Sequence, residues 1–425
     1  MLKYFKEITL AISFLLTISD GYTQEYFKGT VIQQRFIKLN YKSRVKFQDS
    51  IIVSIKRLEL RRYQIPYHFE VQRFIQSFDV ELGRTVFEGS LKIDSSGMIQ
   101  YEDHDVKQGY SYIYWLISAS GKTIAGPLCS KIRDPNVWWS QEKIEDTMDQ
   151  LTQLHPKLVL KHTFGKTHAG NPINGLLIGN LNKAIALIGY IHAGESGAEL
   201  LLYSIEQILS NNKDLLEKSG IIIIPVLNID SRNRLINGIP DYQRKNINGV
   251  DLNRNFPVNW EKIDTTYSLL TNDPFSDTYR GHSPASEPET KTIIQMIETY
   301  KPKVFFSYHH LGSITGNILL AHTTKNQKIL DELHQYAESF NRGFYEITMD
   351  SPKYEIRNSD MPGTMHSYCL IKHNIPAYDV EGNTKYPILN RAYSDKATEK
   401  DLLIYQQKHY HAILSVLQHL YLTIE

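Results

Sequence analysis

The spacing of hydrophobic and polar positions changes near residue 134. Between residues 25 and 133, short apolar runs alternate with polar positions, as in Ser50-Ile-Ile-Val-Ser-Ile55, Tyr67-His-Phe-Glu-Val71, Ser90-Leu-Lys-Ile-Asp94 and Tyr110-Ser-Tyr-Ile-Tyr-Trp-Leu116. Turn-forming strings separate them, for example Asp94-Ser-Ser-Gly97 and Ser120-Gly121. A period of two sends successive side chains to opposite faces of a strand, so this region predicts an antiparallel β-sandwich over residues 25–135. Asp134-Pro135-Asn136 interrupts the pattern, and helical spacing follows. Residues 140–155 predict a capped amphipathic helix, with Ser140 as N-cap and Ile144, Met148 and Leu151 on one face. Ala184-Ile-Ala-Leu-Ile-Gly-Tyr-Ile191 and Gly220-Ile-Ile-Ile-Ile-Pro-Val-Leu227 are continuous apolar runs, the pattern of strands covered on both faces. Helical stretches near residues 198–210, 287–300, 327–341 and 400–422 accompany them. The expectation is an α/β domain over residues 138–425.

Composition narrows the function classes. The chain has 425 residues, and about 150 residues per domain predicts two or three domains. Lys plus Arg total 47 and Asp plus Glu 46, a net charge of +1 that argues against nucleic acid or an anionic membrane as partner. Two cysteines, Cys129 and Cys369, exclude a disulfide scaffold and a cysteine-based zinc finger. They fall in different expected domains, which favours two unpaired thiols over a bridge. The first residues, Met1-Leu-Lys-Tyr-Phe-Lys6, lead into an apolar run of about 12 residues and a polar exit before Gln24. That is the pattern of a secretory signal peptide over residues 1–24, and the run is shorter than the ~20 residues of a membrane span. The expectation is an exported protein, periplasmic or secreted, with no membrane span in the mature chain.

Residues 103–134, with Gly109-Tyr110-Ser-Tyr112 and Ala125-Gly126-Pro127, resemble the last strands of a fibronectin type III or Ig-like domain. The titratable residues of chemical interest lie further on. The run ending at Ile191 leads into His192-Ala-Gly-Glu195, a His and a carboxylate three apart at the end of an expected parallel strand. Such a pair can reach one point in the crevice where open α/β sheets bind ligands. Both types ligate zinc, whose catalytic sites take three protein ligands and keep one position open. The pair alone is weak evidence, because roughly one His-x-x-Glu is expected by chance among 16 histidines. Val304-Phe-Phe-Ser-Tyr-His309 is another strand-like run that ends in a possible ligand, and Ile375-Pro-Ala-Tyr-Asp-Val-Glu381 is a third that ends in a carboxylate. Between them lies Gly249-Val-Asp-Leu-Asn-Arg-Asn-Phe-Pro257, preceded by Arg244.

Order and spacing together resemble the M14 family of zinc metallocarboxypeptidases from about residue 140 onward. Gly165-Lys-Thr-His-Ala-Gly-Asn-Pro172 is similar to the family's turn before the first sheet strands, and Tyr279-Arg-Gly-His-Ser-Pro-Ala-Ser-Glu-Pro-Glu289 to its segment leading into the helix before the third ligand. The resemblance implies a mixed, mostly parallel sheet flanked by helices and one Zn2+ per chain, held by His192, Glu195 and His309. It implies Glu381 as catalytic general base, Arg244 as the group that polarises the scissile carbonyl, and Asn253 with Arg254 as the grip on the substrate's terminal carboxylate. His310 adjoins His309, but alternate strand residues face opposite sides, and Gly312 supplies the turn the family places after its ligand. Asp379 shares a strand face with Glu381, which sits nearer the strand end.

The sequence departs from the family's animal enzymes at Gly194, where those carry arginine inside the His-x-x-Glu motif. Their mobile tyrosine has no clear match here: Tyr354 is the nearest candidate, and the aligned position holds Asn358. Pro362-Gly-Thr-Met-His366, expected to line the side-chain pocket, contains no acidic residue, so a preference for C-terminal Lys or Arg is not indicated. The implied function is an exported carboxypeptidase acting on peptides. Alternative readings are a bacterial cell-wall peptidase of the same fold that acts on peptidoglycan-derived stem peptides, and an inactive member that binds peptides.

Overall fold

A computed structural model describes residues 27–32, 35–42, 58–65, 81, 83–89, 98–118, 121, 123–239, 243–263, 271–309, 318–346, 356–381 and 399–423. The expected signal segment, the expected strands at 50–55, 67–71 and 90–94, and the residues His310, Gly312 and Tyr354 lie outside these ranges. The chain divides into two compact units, one comprising residues up to 134 with 236–241, the other residues 135–235 and 242 onward.

In the first unit the alternating pattern produces seven described strands: β1 (Phe27–Ile32), β2 (Phe36–Lys42), β3 (Leu58–Ile65), β4 (Arg84–Gly89), β5 (Met98–Asp103), β6 (Ser111–Ser118) and β7 (Thr123–Lys131). They form two antiparallel sheets, ordered β1-β2-β5 and β4-β3-β6-β7. Val31, Ile37 and Leu39 from one sheet share a core with Tyr112, Tyr114 and Leu116 from the other. This is the sandwich expected from period-two alternation.

The second unit opens with α1 (Gln141–Leu154), where the Ser140 hydroxyl accepts the Lys143 N–H at 3.2 Å and Ile144, Met148 and Leu151 are buried. The cap satisfies one of the four backbone donors that every helix start leaves unpaired. Then follow β8 (Val159–Lys166), β9 (Pro172–Gly179), β10 (Ala184–Ile188), α2 (Ala198–Asn211), β11 (Gly220–Ile224), α3 (Ile229–Ile236), α4 (Pro288–Tyr300), β12 (Val304–His309), β13 (Ile318–Ala321), α5 (Gln327–Glu346), β14 (Ile356–Asn358), α6 (Met365–His373), β15 (Ala377–Glu381) and α7 (Glu399–Leu422). The eight strands form one mixed sheet, ordered β14-β13-β15-β12-β10-β11-β9-β8. Its centre is parallel: β15, β12, β10 and β11 run the same way, while β9 and β13 run opposite to their inner neighbours. Every residue of β10, β11 and β12 is buried, as the continuous apolar runs of β10 and β11 require. Each buried Ile or Leu there contributes roughly 1.5–3 kcal/mol relative to exposure.

One boundary differs from expectation. The apolar run to Ile191 predicts a strand of that length, but β10 stops at Ile188. Gly189 still donates its N–H to Ile224 O at 2.9 Å, and Tyr190 then turns into the left-handed region at φ 49°. That turn peels the chain off the sheet, and Tyr190 N–H closes the loop on Ser196 O at 2.9 Å. The loop ends pass so close that a Cβ on Gly189 would collide with Gly197, and one on Gly197 with Tyr190. Left-handed backbone costs a non-glycine residue about 1–3 kcal/mol, so it persists only where its surroundings hold it. Here the Tyr190 hydroxyl donates to Glu199 Oε2 at 2.6 Å, and Arg232 donates to Glu199 Oε1 at 2.6 Å and lies over the Tyr190 ring at 4.4 Å. Arg232 also faces the Trp138 ring at 5.3 Å, while the Trp139 backbone N–H donates to Glu199 at 2.8 Å. Cys129 and Cys369 form no disulfide, and burial pushes the Cys369 thiol far above its ordinary range.

Candidate active site

The parallel order β15-β12-β10 aligns three strand ends on one edge of the sheet, where α/β folds bind ligands. His309 is the last residue of β12, and Glu381 is the last residue of β15 and its direct register partner. His192 and Glu195 sit in the loop that the Tyr190 turn lifts from β10. Glu195 Oε2 lies 3.0 Å from His192 Nδ1 and 3.0 Å from His309 Nδ1, and the two Nδ1 atoms are 3.3 Å apart. All three side chains are buried.

The opposite edge of each imidazole is also engaged. His192 Nε2 lies 3.0 Å from Asp251 Oδ1. His309 Nε2 lies 2.9 Å from the Ser307 hydroxyl and 3.5 Å from Asp379 Oδ1. With the ring protons on Nε2, facing those acceptors, both Nδ1 lone pairs and a carboxylate oxygen converge on one point with no donor among them. Three converging acceptors in a buried place repel one another unless a cation lies between them, and two imidazoles with a carboxylate are a donor set for zinc. The residues therefore fit a metal ion. With protons in place of a metal, burial raises the Glu195 pKa, but His192 and His309 outweigh it and hold it well below the usual carboxylate range. Burial lowers the His309 pKa, and Asp379 and Glu195 more than reverse this. Metal binding would displace such a proton.

The loop carrying the other candidate residues is fastened next to this cluster. Asp251, fully buried, accepts the Asn253 N–H at 3.0 Å and the Arg244 Nε–H at 2.8 Å besides facing His192. Its pKa is pulled below the ordinary range, because Arg244 and His192 outweigh the raising effect of burial. Upstream, Asn246 donates to Glu287 at 2.8 Å and accepts the Val250 N–H at 3.0 Å, which pins the loop's entry. Asn253 donates Nδ2–H to Asp379 Oδ2 at 2.9 Å and accepts the Met365 N–H at 2.9 Å, so part of its amide serves the fold. Arg254 donates from Nη1 to Asn253 O at 2.7 Å, while its Nε is shut off from solvent without a hydrogen-bond partner. Burial lowers the Arg254 pKa, and Asp251 works against this. An arginine stays charged regardless, so the half-buried guanidinium keeps one enclosed donor, Nε–H, to spare.

The expected pocket segment, residues 362–366, adjoins this loop through Gly363 O, which accepts the Phe256 N–H at 3.0 Å. His366 is buried, with Nδ1 2.9 Å from Asp379 Oδ2 and Nε2 3.0 Å from Ser359 O. Both ring nitrogens are therefore taken up within the fold. Asn358 ends β14 and is exposed.

The structure thus brings His192, Glu195 and His309 together, sets Glu381 beside them at the neighbouring strand end, and fastens Arg244, Asn253 and Arg254 to one loop. Sequence reasoning assigned no role to Asp251 or Ser307, expected His366 only as part of the pocket-lining segment, and treated Asp379 only as a competitor of Glu381. For Ser307 and Asp379 a signal existed: each stands two residues before a strand-end functional residue, on the same face. Asp251 lies inside a quoted motif, but its partners are 59 residues upstream and 7 upstream, and only folding joins them.

A family model described as zinc carboxypeptidase matches residues 144–401. The chain is 33% identical over 188 residues to mast cell carboxypeptidase A of Homo sapiens, covering 40% of this chain and 44% of that protein. It is 29% identical over 199 residues to carboxypeptidase O of Homo sapiens, covering 42% and 52%. The chain thus spans about half the length of these relatives. Among solved structures, carboxypeptidase A from Helicoverpa armigera superposes with a TM-score of 0.55 at 17% identity, covering 88% of this chain and 99% of that one. Bovine thrombin-activatable fibrinolysis inhibitor gives 0.54 at 18% identity, covering 68% and 99%. At such identity these structures establish likeness of fold.

Proposed function

The chain belongs to the zinc carboxypeptidase family, whose model spans residues 144–401, and from that premise we propose that it is a metallocarboxypeptidase hydrolysing the C-terminal peptide bond of peptides. His192, Glu195 and His309 hold one zinc ion per chain. The bound ion supplies Lewis acidity, which brings the pKa of water towards about 7.

The remaining work falls to the chain's own groups. Glu381 takes the proton of the attacking water and later delivers it to the leaving amine, which suits a carboxylate at a strand end beside the cluster. Arg244, oriented by Asp251, offers a fixed positive charge to the oxyanion that develops at the scissile carbonyl. Such a charge favours the transition state over the substrate because little of it is needed before the carbonyl polarises. Arg254 binds the free terminal carboxylate, with the remaining N–H of Asn253 as a neutral donor. Anchoring that carboxylate one residue beyond the scissile bond restricts cleavage to chain ends.

The observation that carries the exopeptidase reading is the partnerless, solvent-excluded Nε of Arg254, on the loop whose Asp251 faces His192 of the convergent His-Glu-His set. A buried cationic donor left unpaired is costly, and an incoming carboxylate removes that cost. Export as a soluble periplasmic or secreted enzyme rests on the basic and apolar N-terminal pattern. No helix among the described residues is long and apolar enough to cross a membrane. We assign residues 25–135 and 138–425 to the sandwich and the catalytic domain.

Paired peptides test the reading, one with a free C-terminal acid and one amidated. A charge-assisted bidentate contact is worth a few kcal/mol when desolvated, so amidation should lower kcat/KM by roughly two to four decades at about 1.4 kcal/mol per decade. Arg254→Ala should lose a similar amount on the acid and discriminate little between the two, a non-additive cycle. Equal cleavage of acid and amide by the unaltered enzyme would remove the exopeptidase assignment.

A further inference from the structure

We propose that Asp379 is a positioning residue that ties the ligand His309 to the loop carrying Arg254, so that one buried carboxylate sets both the metal and the substrate-anchoring geometry. Asp379 is 3% exposed and takes no part in the proton transfers assigned above. Its two oxygens have different tasks. Oδ2 accepts the Asn253 Nδ2–H at 2.9 Å and lies 2.9 Å from His366 Nδ1. Oδ1 accepts no hydrogen bond within ordinary limits, yet it is buried and lies 3.5 Å from His309 Nε2.

A buried carboxylate oxygen without a donor needs a physical reason. His366 serves the other oxygen, and the group facing Oδ1 is the His309 ring edge that bears the proton when Nδ1 points to the metal point. A carboxylate behind a ligating imidazole fixes its tautomer and rotation and raises its basicity. His192 has the equivalent partner in Asp251, so each ligating ring is backed by its own carboxylate. Asp379 differs in that its other oxygen reaches Asn253, whose carbonyl accepts Arg254 Nη1–H at 2.7 Å. The path His309, Asp379, Asn253, Arg254 therefore runs through direct contacts. Register explains how this arises. Asp379 pairs with Ser307 across β15 and β12, just as Glu381 pairs with His309, so the carboxylate lies one step behind the ligand on the same face.

The Arg254 half of this proposal rests on the carboxypeptidase reading, whereas the His309 half does not. The test uses the full chain with three substitutions: Asp379→Asn, Asp379→Ala and Ser307→Ala. Zinc affinity is measured by competition with a chromophoric chelator, and KM and kcat on a free-acid peptide at saturating zinc. In Asp379→Asn the amide oxygen can keep Asn253 and His366 while an N–H group faces the His309 N–H. Zinc affinity should fall about 10–100-fold, the range for losing such an outer partner, with KM unchanged. Asp379→Ala should show the same zinc loss together with a raised KM, because Asn253 is released as well. Ser307→Ala, which keeps the carboxylate, should lose less zinc affinity than Asp379→Asn.

Unchanged zinc affinity in both Asp379 variants overturns the proposal, even if their melting temperatures fall, because a purely structural carboxylate would lower stability alone. Zinc loss with unchanged KM in Asp379→Ala overturns the link to Arg254. Should Asp379→Ala fail to fold, Asp379→Asn and Ser307→Ala still decide the His309 half. If the unaltered protein binds zinc tightly but releases no C-terminal residue, the carboxypeptidase reading fails, while the chelator competition still decides the role of Asp379 toward His309.

Discussion

Asp251 Oδ1 lies 3.0 Å from His192 Nε2, on the ring edge opposite the one that meets Glu195. The same carboxylate holds Arg244 through Oδ2 at 2.8 Å, so one side chain orients both a proposed metal ligand and the cation proposed to face the substrate. Asp251→Asn should therefore impair two functions together. Zinc affinity should drop about 10–100-fold, and kcat should remain depressed after zinc is restored to saturation, because Arg244 has lost its anionic anchor. Chelator competition and steady-state kinetics at high zinc separate these effects. Full recovery of kcat by zinc would confine Asp251 to the metal.

The choice of His309 over His310 has a direct consequence. Ala at His192, Glu195 or His309 should abolish stoichiometric zinc and activity, whereas His310→Ala should retain both. Metal analysis of the purified variants decides the matter. Loss of zinc in His310→Ala with retention in His309→Ala would reverse the assignment.

Glu381 pairs in register with His309 but is not one of the three converging donors. Glu381→Gln should keep its zinc and its fold while turnover falls by about two to four orders of magnitude, because an amide cannot accept the proton of water. The measurement is kcat alongside metal content. Near-normal turnover would exclude Glu381 as the base.

The Glu199–Arg232 pair supports Tyr190, whose left-handed backbone sets where His192 leaves the sheet. Both partners are buried, so Glu199→Gln strips a charge from an enclosed guanidinium and should cost about 3–5 kcal/mol of stability. Because the loop relaxes with Tyr190, zinc affinity should fall too. Chemical denaturation with and without zinc reads both. Wild-type stability would show that water or another group compensates Arg232.

Much of this protein was legible before any folding is considered. Two hydrophobic rhythms separated a sandwich from an α/β unit, because strand and helix periods depend on neighbours within a few residues. Continuous apolar runs marked β10 and β11, because a strand buried on both faces has few polar positions to show, and β12 was marked by a strand-like run ending in His309. Ser140, Ile144, Met148 and Leu151 disclosed α1 by cap chemistry and spacing alone. The chemical residues stood out because His192, Glu195, His309 and Glu381 occur at or just beyond strand ends in a familiar order.

Tertiary structure decided what depends on distant residues meeting. That β10 ends at Ile188 follows from the Tyr190 turn, which is held by Glu199 and Arg232 rather than by any local preference of tyrosine. Asp251 and Asp379 become partners of the His192 and His309 rings only because β10, β12, β15 and the 251–254 loop converge at one sheet edge. His366, a candidate pocket residue by position, is turned inward because Asp379 Oδ2 and Ser359 O take both ring nitrogens. Local periodicity determines which segments form and which faces they bury. Which oxygen supports which imidazole is a matter of ångströms between elements, and that is decided by the packing of the sheet.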